Sequence, residues 1–99
     1  MKLEINEIYV FKLVTGEELV AKVIESNTDT ITIKQPISCV ISPQGLQMMP
    51  SLFSANVDKN VQLNISSCAM VSDPREDVRN SYVQATTGIA PISKQIITG

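Results

Sequence analysis

Residues 12–25 read KLVTGEELVAKVIE, and this stretch decides the fold. One apolar run stops at Thr15-Gly16-Glu17 and a second begins at Leu19. Gly16 accepts a positive φ at little cost, so the break reads as a turn between two strands. Before it, Tyr9, Phe11 and Leu13 share one face of a strand spanning Ile8 to Val14. After it, Leu19, Ala21 and Val23 alternate with Val20, Lys22 and Ile24. The second strand is therefore apolar on much of both faces and needs cover on both sides.

Downstream, Ser26-Asn27-Thr28-Asp29 supplies a polar turn whose side chains can cap backbone amides. Ile31 and Ile33 then point one way, with Thr30, Thr32 and Lys34 opposite. Pro36 interrupts this strand and implies a bend or bulge. Ile37, Cys39 and Ile41 resume the parity of Ile31 and Ile33, which predicts one long bent strand with all five on one face. Ser42-Pro43-Gln44-Gly45 is the next turn, and Leu46 to Ala55 is the expected fourth strand, with Pro50 inside it. Residues 56–60 (NVDKN) form a polar loop. Val61, Leu63 and Ile65 alternate with Gln62 and Asn64 until Ser66-Ser67 shifts the phase ahead of Cys68 and Met70. Two readings fit residues 61–71: one bulged strand, or two short strands joined by a tight turn.

Asp73-Pro74-Arg75-Glu76 is a helix-start signal, with Asp73 as N-cap, Pro74 at the first helical position and Glu76 completing a capping box. The expected helix covers about residues 74–86 and stops near Gly88. Val78, Tyr82 and Ala85, with Val83 adjacent, give it an apolar stripe. The tail, residues 87–99, is apolar but broken by Pro91, and is expected to lie extended against this subunit or a neighbour. The 99 residues thus form one mainly β domain: a small, strongly bent five-stranded barrel of SH3-like type over about residues 8–72, followed by a C-terminal helix.

Composition narrows the function. Forty-three per cent hydrophobic residues against 18% charged is globular rather than disordered. Eight basic against ten acidic residues argues against strong, unspecific nucleic-acid binding by one copy, although a small site repeated around an oligomer escapes that argument. Histidine is absent, removing the commonest general base and metal ligand. Cys39 and Cys68 lack a CxxC spacing and read as buried apolar residues. MKLEINEIYV has neither the composition of a secretory signal nor a membrane span, so a cytoplasmic protein is expected.

No catalytic constellation appears. Glu17 and Glu18 flank a turn, while Asp73, Glu76 and Asp77 gather at a helix start; solvation and capping account for both groups. Ser93-Lys94 stands alone, and the four glycines never cluster into a phosphate-binding loop. Met48-Met49 reads as core filling ahead of a pliable partner-binding surface. Lys12, Lys22, Lys34 and Lys59 lack the interleaved aromatics of a base-stacking platform. The chain is not expected to be an enzyme, and it calls for no cofactor, metal or small-molecule substrate.

The opening stretch also resembles the first motif of the Sm/LSm family. The matching features are an apolar strand Tyr9–Val14, Gly16, a small residue at Ala21 with Val23, the Asn27–Asp29 turn, and Ile31 with Ile33. VQLNISSCAMVSDP (residues 61–74) is similar to the closing strand pair of bacterial Sm-type proteins. The TGEE, PQGLQ, DPRED and ATTGI segments resemble small Sm-like proteins of marine cyanophage type. Ala21 stands where the family usually has a second glycine, Asn27 near its aspartate, and Ser66-Ser67 near its Arg-Gly or Lys-His pair. The resemblance implies a homo-oligomeric ring of about five to seven subunits that binds single-stranded RNA, in the host cytoplasm if phage-encoded. Its candidate contacts are Asn27, Thr28 and Asp29 in one turn and Asn64, Ser66 and Ser67 in another. The competing expectation is a ring of phage origin that serves as a protein-interaction or structural module without RNA, consistent with the acidic balance.

Overall fold

The hairpin around Gly16 forms in the computed structural model, which describes residues 2–87. Strands β1 (Ile8–Leu13) and β2 (Glu18–Ser26) pair antiparallel with Phe11 opposite Leu19 and Tyr9 opposite Ala21. Gly16 has φ +97°, and its N–H donates to the Leu13 carbonyl at 2.9 Å. Nothing lies within 4 Å of a Cβ placed there. Gly16→Ala is therefore expected to cost about 1 kcal/mol through backbone strain alone, measurable as a small drop in denaturation midpoint.

Strand β3 (Thr30–Ser42) is long and bent at Gln35-Pro36. Lys22 of β2 pairs with Lys34, but Val20 pairs with Ile37, so two residues of β3 oppose Ala21 alone. Gln35 takes φ +47° to make this bulge. The bulge corrects the parity expected from the sequence. Ile31 and Ile33 point into the barrel with Tyr9, Phe11, Leu19, Ala21 and Val23. Ile37 and Cys39 instead pack on the other face with Ile8, Val20, Val78 and Tyr82. Ile41 is 77% exposed. Thr32, on the face opposite Ile31 and Ile33, is also buried and accepts a hydrogen bond from Gln62 Nε2 at 3.0 Å.

Strand β4 is shorter than expected, spanning Gly45–Pro50. Pro50 lacks the N–H that would extend the ladder. Ser51 N–H makes a last bond to the Pro36 carbonyl at 3.0 Å, beyond which the bulge turns β3 away. The polar loop therefore occupies residues 51–60. Residues 61–72 adopt the second of the two readings left open: β5 (Val61–Asn64), a 3₁₀ helix (Ile65–Ser67) and β6 (Cys68–Ser72).

The sheet order is β4-β3-β2-β1-β6, with β5 also on β3. β4 covers residues 37–42 of β3 and β5 covers residues 30–33, so the two share one edge end to end. Six strand segments thus fill five strand places. The 3₁₀ helix joins β5 at one edge to β6 at the other and curls the sheet into a barrel-like closure. Val14 N–H to the Ser67 carbonyl (2.8 Å) and Ile65 N–H to the Asp29 carbonyl (2.9 Å) stitch the corner.

Helix α1 spans Glu76–Thr86 and begins later than the Asp73-Pro74 signal implies. Arg75 is still extended (φ −60°, ψ 151°) and is the N-cap residue, so Asp73 caps nothing. Its guanidinium pairs with the Asp77 carboxylate, which also accepts the Val78 N–H at 2.8 Å. The apolar stripe is as expected: Val78 and Tyr82 are buried, Val83 and Ala85 half-buried. Val78 and Tyr82 cover Ile8 and Val20, providing the second cover that the two-faced β2 strand requires. Gly88 and the tail expected to lie extended fall outside the described residues.

Tyr82 does more than pack. Its hydroxyl donates to the Lys34 carbonyl at 2.6 Å and accepts from Lys22 N–H at 3.1 Å. These backbone groups face each other across the β2–β3 bulge. The phenol therefore fills a gap in the ladder that the bulge opens.

Candidate nucleic-acid interface

The two polar turns are separate in sequence and adjacent in space. Asn27 N–H bonds to the Thr30 carbonyl at 2.8 Å and closes the β2–β3 loop around Thr28 and Asp29. Thr30 then pairs with Asn64, the last residue of β5, while the Asp29 carbonyl accepts the Ile65 N–H. Asn27, Thr28, Asp29, Asn64 and Ser66 are exposed and Ser67 is half-buried. The Asn27–Asp29 loop therefore meets the chain at Asn64 and Ile65, while Ser67 reaches on to Val14 at the end of β1.

Residues 26–30 line a shallow, open polar depression, and Asn64 pairs with Thr30 at its edge. The group offers amide and hydroxyl donors and acceptors suited to base edges. Asp29 is its one charged member and is an anion, so the corner supplies no charge complementary to phosphate.

Two features escaped the sequence reading. Ser38 is buried, donates to Glu17 Oε2 at 2.8 Å and lies 2.9 Å from Ser51 Oγ. This network ties the β1–β2 turn to β3 and to the end of β4. Ser38 sits in the apolar run ISCVI (residues 37–41), and no local signal marks its partners. The other feature is an apolar groove where loop 51–60 leaves the sheet, bounded by Pro36, Pro50 and the end of α1. The two interior prolines were its only trace in the sequence.

Cys39 and Cys68 are half-buried rather than fully buried, and both are free. Burial pushes both thiols above their ordinary pKa, aided at Cys39 by the Glu18 carboxylate. Both stay protonated at neutral pH and are weak nucleophiles there. Among the described residues, no group of three or more His, Cys, Asp or Glu is placed to hold a metal ion. No described helix is long and apolar enough to cross a membrane.

No protein-family model matches the chain, and comparison with curated proteins finds no match.

Proposed function

We propose that this chain is an Sm-like, ring-forming subunit that binds single-stranded RNA and catalyses no reaction. The observation that carries the reading is the meeting of the Asn27–Asp29 loop with the Asn64–Ser67 corner through the Asp29–Ile65 backbone bond. A ring would repeat this polar corner once per subunit, so weak contacts would add through multivalency. The sheet also ends in two edges, β4 with β5 on one side and β6 on the other. Pairing such edges between subunits in a closed ring removes an aggregation liability.

A second reading, a protein-interaction ring without RNA, draws support from loop 51–60. Leu52, Phe53 and Val57 are 48%, 82% and 64% exposed there. Single exposed apolar residues are ordinary, but three close together on one loop suit a protein contact.

Native mass spectrometry of protein purified without nuclease separates the readings. A ring carrying oligonucleotide mass supports RNA binding, a bare ring favours the protein module, and a bare monomer removes the ring. The Asn27→Ala/Asn64→Ala double variant is expected to weaken oligonucleotide binding by roughly tenfold, from two lost hydrogen bonds of about 0.5–1.5 kcal/mol each. Its subunit number should not change. Fluorescence polarisation with a labelled single strand measures this, and unchanged affinity would remove the proposed site.

A further inference from the structure

We propose that the apolar groove beside the end of α1 binds a small amphipathic anion, an aliphatic carboxylate of medium chain length. The groove has a volume of about 210 Å³, and its walls include Pro36, Ile37, Met49, Pro50, Val57 and Ala85. Pockets for drug-sized ligands run to about 300–1,000 Å³, so this one suits a single alkyl chain. Proline rings on two sides keep its walls stiff.

Charge selects the head group. Of the side chains that line the groove, Lys59 alone is charged. It is exposed, and among the described residues it enters no ion pair. A turn places it in the loop: the Asn56 carbonyl accepts the Lys59 N–H at 3.1 Å, and Asn56 Oδ1 accepts the Asp58 N–H at 2.9 Å. The Asn56 amide is thereby left with its NH₂ group to donate, and Asn56 also lines the groove. Gln35 lines it too and holds a strained φ of +47°, a conformation that concentrates at ligand sites. An apolar cleft with one cation and two amide side chains matches a carboxylate with a hydrocarbon tail. This inference is independent of RNA binding and of ring formation.

Titration of octanoate into the full-length protein, followed by NMR of methyl-labelled methionine, tests it. Met48 and Met49 line the groove, while Met70, 68% exposed on β6, serves as an internal reference. The Met49 methyl signal is expected to shift saturably while Met70 stays in place. Acetate, which lacks the chain, and octylamine, which reverses the charge, should bind at least several-fold more weakly. Lys59→Gln should weaken octanoate several-fold, the range of one exposed charge contact, and Lys59→Arg should restore it. Octanol should bind all three proteins alike. No saturable shift at Met49, an equal shift at Met70, or octanoate affinity unaltered in Lys59→Gln would overturn the proposal. An equal loss of octanol binding would do the same, since Lys59 would then shape the groove rather than read charge. So would a Met49 signal that moves on dilution without octanoate, which would assign the groove to a second copy.

Discussion

Replacing Ile33 with aspartate is expected to unfold the protein. Ile33 is 1% exposed and packs among Phe11, Ala21, Val23 and Ile31 in the barrel interior. The change forfeits about 1.5–3 kcal/mol of apolar burial and places a carboxylate among the apolar side chains of the barrel interior. The sum exceeds about 4 kcal/mol, against a total stability of roughly 5–15 kcal/mol for a domain of this size. Thermal unfolding followed by circular dichroism should show no folded baseline, or a Tm lower by at least about 15 °C. Ile41→Asp is the matched control. It lies on the same strand, at the parity that the sequence alone would place beside Ile33, yet it is 77% exposed. Its cost should stay within about 0.5 kcal/mol. Equal damage from both substitutions would mean that the face change at Gln35 is misassigned.

Tyr82→Phe should produce the second-largest effect, by removing one oxygen atom. The ring still fills its place against Ile8 and Val20, so little packing is lost. What disappears is the bridge between Lys22 N–H and the Lys34 carbonyl. Both groups lose the phenol as their partner beside the bulge. The expected cost is about 2–4 kcal/mol, or roughly 10–25 °C in Tm.

The same contact predicts a pH dependence. Burial pushes the Tyr82 phenol up to about 12, despite the opposing hydrogen bond from Lys22 N–H. An unfolded tyrosine ionises near 10. The folded state thus holds the proton more tightly, and its stabilising contribution is complete below about pH 10. It is lost progressively as pH rises from about 10 to about 12. Denaturant midpoints across that range should fall more steeply in the native sequence than in Tyr82→Phe. Parallel curves would show that the phenol does not carry the alkaline transition.

These two residues also mark where the sequence is legible and where it is not. The β1–β2 hairpin could be read directly, because alternation and Gly16 are local signals that tertiary packing reinforces. Pro36 correctly announced a bend in β3. It could not reveal that Gln35 takes the left-handed conformation and turns the rest of the strand over, since parity counting assumes one residue per step. The helix stripe was legible from Val78 and Tyr82, but its start was not. Asp73-Pro74 has the right cap chemistry, yet the chain stays extended through Arg75 before it turns. Tyr82 could be placed in the core by periodicity alone. Its bonds to Lys22 and Lys34 join residues 60 and 48 positions away and leave no trace in local pattern. The candidate site was legible as two polar turns, and their proximity followed from the family resemblance rather than from spacing. The Ser38–Glu17–Ser51 network was invisible, because a lone serine in an apolar run carries no signature of its partners.

The shared edge of β3 has a consequence for how this chain tolerates change in length. β4 and β5 are registered separately, by residues 37–42 and 30–33 of the same strand. Beyond Ser51, whose N–H bonds the Pro36 carbonyl, the loop through residue 60 spans the seam between them without setting either register. Extra residues placed there add only loop entropy, about 0.6 kcal/mol for each doubling. The barrel therefore carries a built-in splice point, where an affinity tag, a reporter or a whole guest domain can be accepted while every strand pairing is kept.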